Sequence, residues 1–372
     1  MTGVLDPMRT ALELASQAGP ETDPNPRVGC VLTDEVGRVL GSGRTQRIGG
    51  AHAEVMALRD AAARRESVVG ATAYVTLEPC AHQGRTGPCC DALIAAGVRR
   101  VVASLTDPNP LVAGAGFGRL RAAGVSVVIG PGAEAARELN LGFLSRMARG
   151  LPWVRSKVAA SLDGSTALAN GTSQWITSEA ARADGHAWRL RASAILTGVG
   201  TVLDDDPRLD VRHVETPRQP ALVVVDSRLR TPPGARLFSV TRPVWIYAAV
   251  RDEARAAALE AAGATVHCLP DADGKVDLPA LMRDLARREV NELHVEAGHQ
   301  LNGSLMREGT VDELLLYLAP RLLGTGLPIA SGLRRDGPLT ALADGVDLHF
   351  HEIERVGPDL RILARMTGRP AF

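Results

Sequence analysis

Between residues 50 and 91 the chain places His52-Ala53-Glu54 ahead of Glu78-Pro79-Cys80 and Pro88-Cys89-Cys90, and no other stretch restricts the fold as tightly. One imidazole and two thiolates make three protein donors for a tetrahedral zinc ion, leaving the fourth position open as catalytic rather than structural sites require. The spacing predicts a helix over residues 51–65 with His52 and Glu54 in its first turn, a buried strand over residues 73–77, and a helix over residues 89–97 opened by Cys89. Unpaired N–H groups at a helix start favour thiolate there, which makes Cys89 a better metal ligand.

Glu54 is left free to move protons. A bound zinc ion lowers the pKa of its water to about 7, which supplies a nucleophile at neutral pH. The zinc nucleobase deaminases carry the same order of groups, His-x-Glu followed by Pro-Cys and a second Cys, with the Glu as general acid/base. Here eight residues separate Cys80 and Cys89 where that signature has two. Two alternatives stand beside this reading. Cys90 could replace Cys89 as ligand, and a structural zinc site would add a fourth protein ligand, for which His82 is the nearest candidate. Cys30 and Cys268 read as core residues.

A chain of 372 residues suits two domains better than one core. Its 42 basic and 42 acidic residues leave no net field, which argues against nucleic acid or a membrane surface as the main partner and favours a small molecule. Five cysteines, three of them clustered, suit a reducing compartment rather than a disulfide framework. The first residues do not read as a signal sequence and no apolar run reaches about 18 residues, so the expectation is a cytoplasmic protein without membrane contact.

In chain order, Asp6-Pro7 caps a helix over residues 6–18, and Asp23-Pro24-Asn25-Pro26 makes a loop. Strands are expected over residues 28–33 and 39–43, paired about Val36-Gly37, and over 73–77, 100–105 and 125–129, with helices between. Asn25 has two readings, turn former or reader of a base edge; for Asn109, in Asp107-Pro108-Asn109-Pro110, turn chemistry is the better one. The boundary falls near residues 148–152, giving units over 1–149 and 150–372. The second unit repeats strands and helices and closes with a hairpin over residues 348–366 turning at Gly357-Pro358. Residues 196–201 and 296–303 each leave a strand, pass through glycine and open a helix, as phosphate cradles do, although neither is a complete Gly-x-Gly-x-x-Gly fingerprint. Both units are therefore α/β.

Over nearly its full length the chain resembles the bifunctional deaminase/reductase family of riboflavin biosynthesis. The first unit does so through Asp23-Pro24-Asn25-Pro26-Arg27-Val28-Gly29, His52-Ala53-Glu54 and residues 76–91 and 106–114. The second does so through Ala160-Ser161-Leu162-Asp163-Gly164, Ser173-Gln174-Trp175-Ile176-Thr177, residues 198–207, Val225-Asp226-Ser227 and Glu296-Ala297-Gly298. The resemblance implies a cytidine-deaminase-like N-terminal domain and a dihydrofolate-reductase-like C-terminal domain. It implies zinc-dependent removal of the 2-amino group of 2,5-diamino-6-ribosylaminopyrimidinone 5'-phosphate, then NADPH reduction of the ribosyl chain to ribityl; a homo-oligomer is compatible with the sequence.

By the same resemblance His52, Cys80 and Cys89 hold one zinc ion and Glu54 shuttles protons. Ser173, Arg189, Leu209, Arg212 and Glu296 fall on the substrate side, to which the base-edge reading of Asn25 adds a residue of the first unit; a guanidinium suits phosphate because it makes bidentate contacts. Ala159, Trp175, Thr201, Asp205 and Ser227 fall on the NADPH side with residues 298–304, among them Gly298, Gly303 and Ser304. Read without the family, Trp175 is equally a core residue, Arg189 and Arg212 solvated charges, and Asp205 a cap. The chain departs from the family pattern at Thr45, where a histidine is usual, and at Ala51, Gly87 and Ala115. Those departures motivate a rival reading, a deaminase of another base-like substrate with a degenerate reductase half.

Overall fold

The computed structural model describes residues 6–81, 87–109, 112–212, 214–369 and 372. The chain divides into two compact units, Met1–Gly150 with Phe372, and Leu151–Ala371.

In the first unit, strands β1 (Gly29–Thr33), β2 (Val39–Arg44), β3 (Thr72–Val75), β4 (Arg100–Ala103) and β5 (Ser126–Ile129) form one sheet in the order β2-β1-β3-β4-β5. β1 runs antiparallel to both neighbours, while β3, β4 and β5 are parallel. The helices are α1 (Pro7–Ser16), α2 (Ala53–Ala63), α3 (Cys89–Ala95), α4 (Ala115–Ala122) and α5 (Ala133–Arg149). Asp6 caps α1 as its sequence predicts, its carboxylate accepting from Met8 N and Arg9 N. Met8 and Ala11 of α1 pack on Val31 and Val102. Ala53, Ala57 and Ala61 of α2 join Leu93 of α3 and Phe117 of α4 over Leu32, Val75 and Val101. α2 lies unusually close to β2: a Cβ on Gly43 would meet Ala57 N at 2.5 Å. Only glycine permits that approach, and it sets the height at which His52 leaves α2.

One expected boundary shifts. α2 begins at Ala53, and His52 is its N-cap with extended φ −76° and ψ 167° rather than a first-turn residue. The N-cap position turns its imidazole off the helix, whereas Glu54 remains in the first turn.

In the second unit the nine-stranded sheet contains β6 (Trp153–Ser161), β8 (Ala194–Gly198), β9 (Ala221–Val225), β10 (Val244–Ala248), β11 (Ala264–Cys268), β12 (Glu292–Val295), β13 (Glu313–Ala319), β15 (Leu348–Val356) and β16 (Asp359–Met366), ordered β11-β10-β9-β8-β12-β6-β13-β16-β15. Strands β11 through β13 in that order are parallel, and the β15–β16 hairpin supplies the antiparallel end. β7 (Ser165–Leu168) and β14 (Gly326–Pro328) form a separate two-stranded pair that the sequence pattern did not suggest. The crossover helices are α6 (Glu179–Arg191), α7 (Val199–Asp205), α8 (Glu253–Ala261), α9 (Leu278–Arg287) and α10 (His299–Arg307).

The middle of this sheet carries buried charge. Arg155 on β6, 2 % exposed, donates to Glu313 on β13 and to Glu292 on β12 at 2.9 Å. Arg191 adds a second guanidinium to Glu292, and Arg365 one to Glu313. Replacing one member of a buried network strands the others without partners, which costs about 3–5 kcal/mol. Arg155→Met is therefore expected to lower the stability of the second unit by about that amount in denaturant titration while the unfolding of the first unit is unchanged.

Candidate functional site

The N-cap of α2, the residue chain leaving β3 and the first residue of α3 meet at the carboxyl end of β3. His52 Nδ1 lies 3.6 Å from Cys80 Sγ and 3.3 Å from Cys89 Sγ, and the three donor atoms fall within 4.8 Å of one another. Ligands at ordinary zinc distances in a tetrahedron stand about 3.5 Å apart, so this set fits zinc with little adjustment. It is the one such group among the described residues. Cys90 faces away into the core against Val98 and Leu93, its thiol directed at Asp91 and pushed up to about 11 by burial, which removes it as a ligand in this geometry. His82 lies outside the described residues.

Electrostatics in the cluster follow from sharing protons in a dry place. The Cys89 thiol donates to Cys80, and with His52 and the Cys89 backbone N–H it holds the Cys80 thiol down to about 4 against the cost of burial. Cys89 keeps its proton more tightly because it is the donor to that thiolate, and burial adds to the effect. Contact with Cys80 raises His52. Glu54 is 3 % exposed; burial pushes its carboxyl up to about 7, and the Cys80 charge adds to the rise. A carboxyl poised near neutrality can both take and return a proton.

Around the cluster, Asp107 was legible only as part of a loop. It is 6 % exposed, and burial pushes its carboxyl up to about 6, with the charges of Glu78 and Cys80 adding to the rise. Asn109 N donates to it at 2.8 Å, the Asx-turn chemistry expected of Asn109. The Asn25 side-chain amide has no hydrogen-bond partner among the described residues, while the backbone beside it is gripped: Asn140 of α5 accepts from Arg27 N at 2.8 Å and donates to Arg27 O at 3.0 Å. Thr45 has a structural occupation. Buried, it accepts from Val28 N at 3.1 Å through Oγ1 and so locks β2 to β1.

In the second unit, the candidates gather at the carboxyl ends of adjacent parallel strands, the usual place for a ligand in an open α/β sheet. Ala159 lies near the end of β6, Thr201 and Asp205 follow β8 on α7, Ser227 follows β9, and Glu296 and Gly298 follow β12. The two glycine-bearing turns stand side by side because β8 and β12 pair, and Thr197 Oγ1 donates to Glu296 O at 2.8 Å. Gly298 caps α10 without any side-chain bond, so the first N–H groups of α10 have no capping side chain, an arrangement that attracts phosphate. Gly303 admits the backbone of Ser331, whose oxygen would lie 1.7 Å from a Cβ there. Ser304 Oγ is spent on Gln300 O, and Ser227 Oγ accepts from Val276 N.

Arg189 makes a two-pronged pair with Glu296, its Nη2 2.9 Å from Oε2, and donates through Nη1 to Asp210 O. Burial alone would raise the Glu296 carboxyl, yet the adjoining guanidinium holds it well below the usual carboxylate range. Arg212 is nearly half exposed and shares Asp210 with Arg208, while its N–H donates to His186. Leu209 adopts a left-handed φ of +50°, uncommon for a branched residue, and Arg242 grips the carbonyls of Arg208 and Leu209. Trp175 is no core residue: it is 62 % exposed, its ring stacked under Arg182 at 4.6 Å and its carbonyl accepting from Arg321. Gln174 reaches Asp205, which joins the segment of Ser173 and Trp175 to the end of α7. Sequence reasoning missed Lys157, which is partly buried on β6 and senses both Glu296 and Arg189; burial holds its ammonium below the usual lysine value. The available signal was two basic residues, Arg155 and Lys157, in a strand otherwise built for a core.

The fold and these two sites define a two-unit α/β enzyme, a zinc hydrolase of cytidine-deaminase type joined to a nucleotide-dependent reductase. Residues 4–105 match the family model of the cytidine and deoxycytidylate deaminase zinc-binding region, and residues 152–362 match that of the RibD C-terminal domain. The riboflavin biosynthesis protein RibD of Escherichia coli (strain K12) is 47% identical over 95% of this chain and 96% of its own length. That of Mycobacterium tuberculosis is 41% identical over 95% and 94%. The solved Acinetobacter baumannii RibD (form 1) is similar with a TM-score of 0.87 at 38% identity, covering 97% of this chain and 98% of that one. A Thermotoga maritima diaminohydroxyphosphoribosylaminopyrimidine deaminase/5-amino-6-(5-phosphoribosylamino)uracil reductase gives 0.84 at 30% identity over 97% of each. The chain belongs to the bifunctional deaminase/reductase family of riboflavin biosynthesis. Its cofactors are zinc in the deaminase half and NADPH in the reductase half. No helix among the described residues is long and apolar enough to cross a membrane.

Proposed function

We propose that the first unit hydrolyses the 2-amino group from 2,5-diamino-6-ribosylaminopyrimidinone 5'-phosphate and that the second then reduces the ribosyl chain of the product to ribityl. The observation that carries the reading is the three-donor cluster with a buried carboxyl beside it. His52, Cys80 and Cys89 hold the zinc ion, which when bound makes a water nucleophilic at neutral pH. Glu54 takes a proton from that water and returns it to the departing amine, so that water and substrate leave as carbonyl and ammonia. The Asn25 side chain, which makes no hydrogen bond among the described residues, reads an edge of the ring. A purely structural site would need a fourth protein ligand, and the described residues offer three.

In the second unit NADPH supplies the hydride. The N-terminus of α10 at Gly298 and the turn leading to Thr201 receive its phosphates, with Ala159, Trp175, Asp205, Ser227, Gly303 and Ser304 lining the same side. Ser173, Leu209 and Glu296 border the substrate. Arg212 carries the substrate phosphate, because Arg189 already spends its donors on Glu296 and Asp210 and serves instead to hold Glu296 ionised. This intact arrangement favours a working reductase over a degenerate one. Balanced charge and five free thiols support a cytoplasmic enzyme that takes no nucleic acid.

Glu54→Gln should retain stoichiometric zinc by metal analysis yet lose about a hundredfold or more in deamination, with reduction of the pre-deaminated substrate unchanged. Cys90→Ser in the same series should keep both zinc and turnover. Loss of zinc from the Gln variant would make Glu54 a ligand and contradict the role given to it.

Self-association is part of the reading. The edge strand β15 exposes Leu348, Phe350 and Ile353. Phe350→Lys is expected to shift sedimentation from the wild-type oligomer towards the monomer; a monomeric wild type would contradict the proposal.

A further inference from the structure

Glu78 stands two residues before Cys80 and is 3 % exposed, and no cation pairs with it among the described residues. Its charge is answered by backbone instead. Oε1 accepts from Gly116 N at 2.9 Å and Phe117 N at 3.2 Å, while Oε2 accepts from Asp107 N at 3.1 Å and Gly114 N at 3.0 Å. A buried carboxylate without partners costs several kcal/mol, so these four N–H groups are what let it stay. Two come from positions between β4 and α4, Asp107 and the N-cap Gly114, and two from the first turn of α4. The same joint is closed from the other side, because a Cβ on Gly116 would lie 2.0 Å from Pro79 O.

We infer that Glu78 is a positioning residue that couples the metal ligand Cys80 to the backbone N–H groups of Asp107 and Gly114 and to the start of α4, so that zinc binding and the hold on those N–H groups stabilise each other. The inference rests on the ligand set proposed above. Cys80 is the ligand without a helix of its own: His52 caps α2 and Cys89 opens α3, whereas Cys80 follows a short strand. Its backbone is held by Cys90 N, which donates to Cys80 O at 3.2 Å, and by the Glu78 latch just before it. The latch also holds Asp107 through its backbone N–H, the group that donates to Oε2. Coupling of this kind is reciprocal: what zinc does for the loop, the latch does for zinc.

Glu78→Gln is the direct test because the two shapes match and the bonding does not. Each carboxylate oxygen receives two N–H groups, so whichever way the amide is turned its NH2 group confronts two donors. Zinc release to a competing chelator should be about tenfold faster or more in the variant, in line with losing bonds to a charged acceptor. Deamination kcat/KM should fall with it while the reductase kcat stays at the wild-type value. The unsubstituted protein provides a second measurement should the variant not fold: removing zinc should speed hydrogen exchange at the amides of Gly114, Gly116 and Phe117, more than 30 residues from Cys80. Unchanged zinc release in the variant, or amide exchange indifferent to zinc in the wild type, overturns the latch alone. A wild-type protein that takes up no zinc overturns the ligand set, and the latch with it.

Discussion

A carboxylate buried in protein must find donors within reach, since water cannot serve it and the cost of leaving it bare exceeds what most side-chain contacts return. Both units are arranged around that requirement, with different answers. In the first, Glu78 is met by four backbone N–H groups, and meeting it fixes the relation of a ligand strand, a loop and a helix start. In the second, Glu292 and Glu313 are met by guanidinium groups from β6, α6 and β16, which ties three neighbouring strands at the middle of the sheet. Glu296, proposed to border the substrate, is met by Arg189 and lies 3.3 Å from His294 Nε2.

These answers place chemistry at one kind of position. In each unit the candidate side chains collect where parallel strands end, because there the backbone leaves the sheet and helix starts present unbonded N–H groups. The zinc donors use it through the N-cap of α2 and the first residue of α3. The reductase side uses it through the turns after β8, β9 and β12, which stand in adjacent places in the sheet order β9-β8-β12. Arg189 illustrates how the packing redistributes roles. Its chemistry suits phosphate, yet its donors are committed to Glu296 and to the loop at Asp210, and Arg212 is the guanidinium left facing outward.

The metal donors were legible in the sequence because a His-x-Glu and two Pro-Cys steps name their chemistry at short range. The fold class was legible for a similar local reason, since β-branched runs alternate with amphipathic helices. The position of His52 at the cap rather than inside α2 was not, because the boundary depends on how closely Gly43 lets the helix approach β2. Nor were the roles of Glu78, Asp107, Asn140 and Lys157: each takes its meaning from groups 2 to 139 places away that meet it only in the folded chain, and a lone acid or amide in a sequence reads as surface. Trp175 shows how the alternative to a family reading can fail. An indole in a chain with four tryptophans reads as core, and it stands exposed because Arg182 and Arg321 support it from the side.

The most direct test of the whole account is mass spectrometry of the products formed by the zinc-loaded protein from the diaminopyrimidinone ribosyl phosphate, with and without NADPH. Deaminated product alone without NADPH, and the ribityl product only when NADPH is present, is the result expected of two units acting in that order. Reduction of the substrate before deamination, or no deamination by zinc-loaded protein that still reduces the pre-deaminated compound, would contradict it.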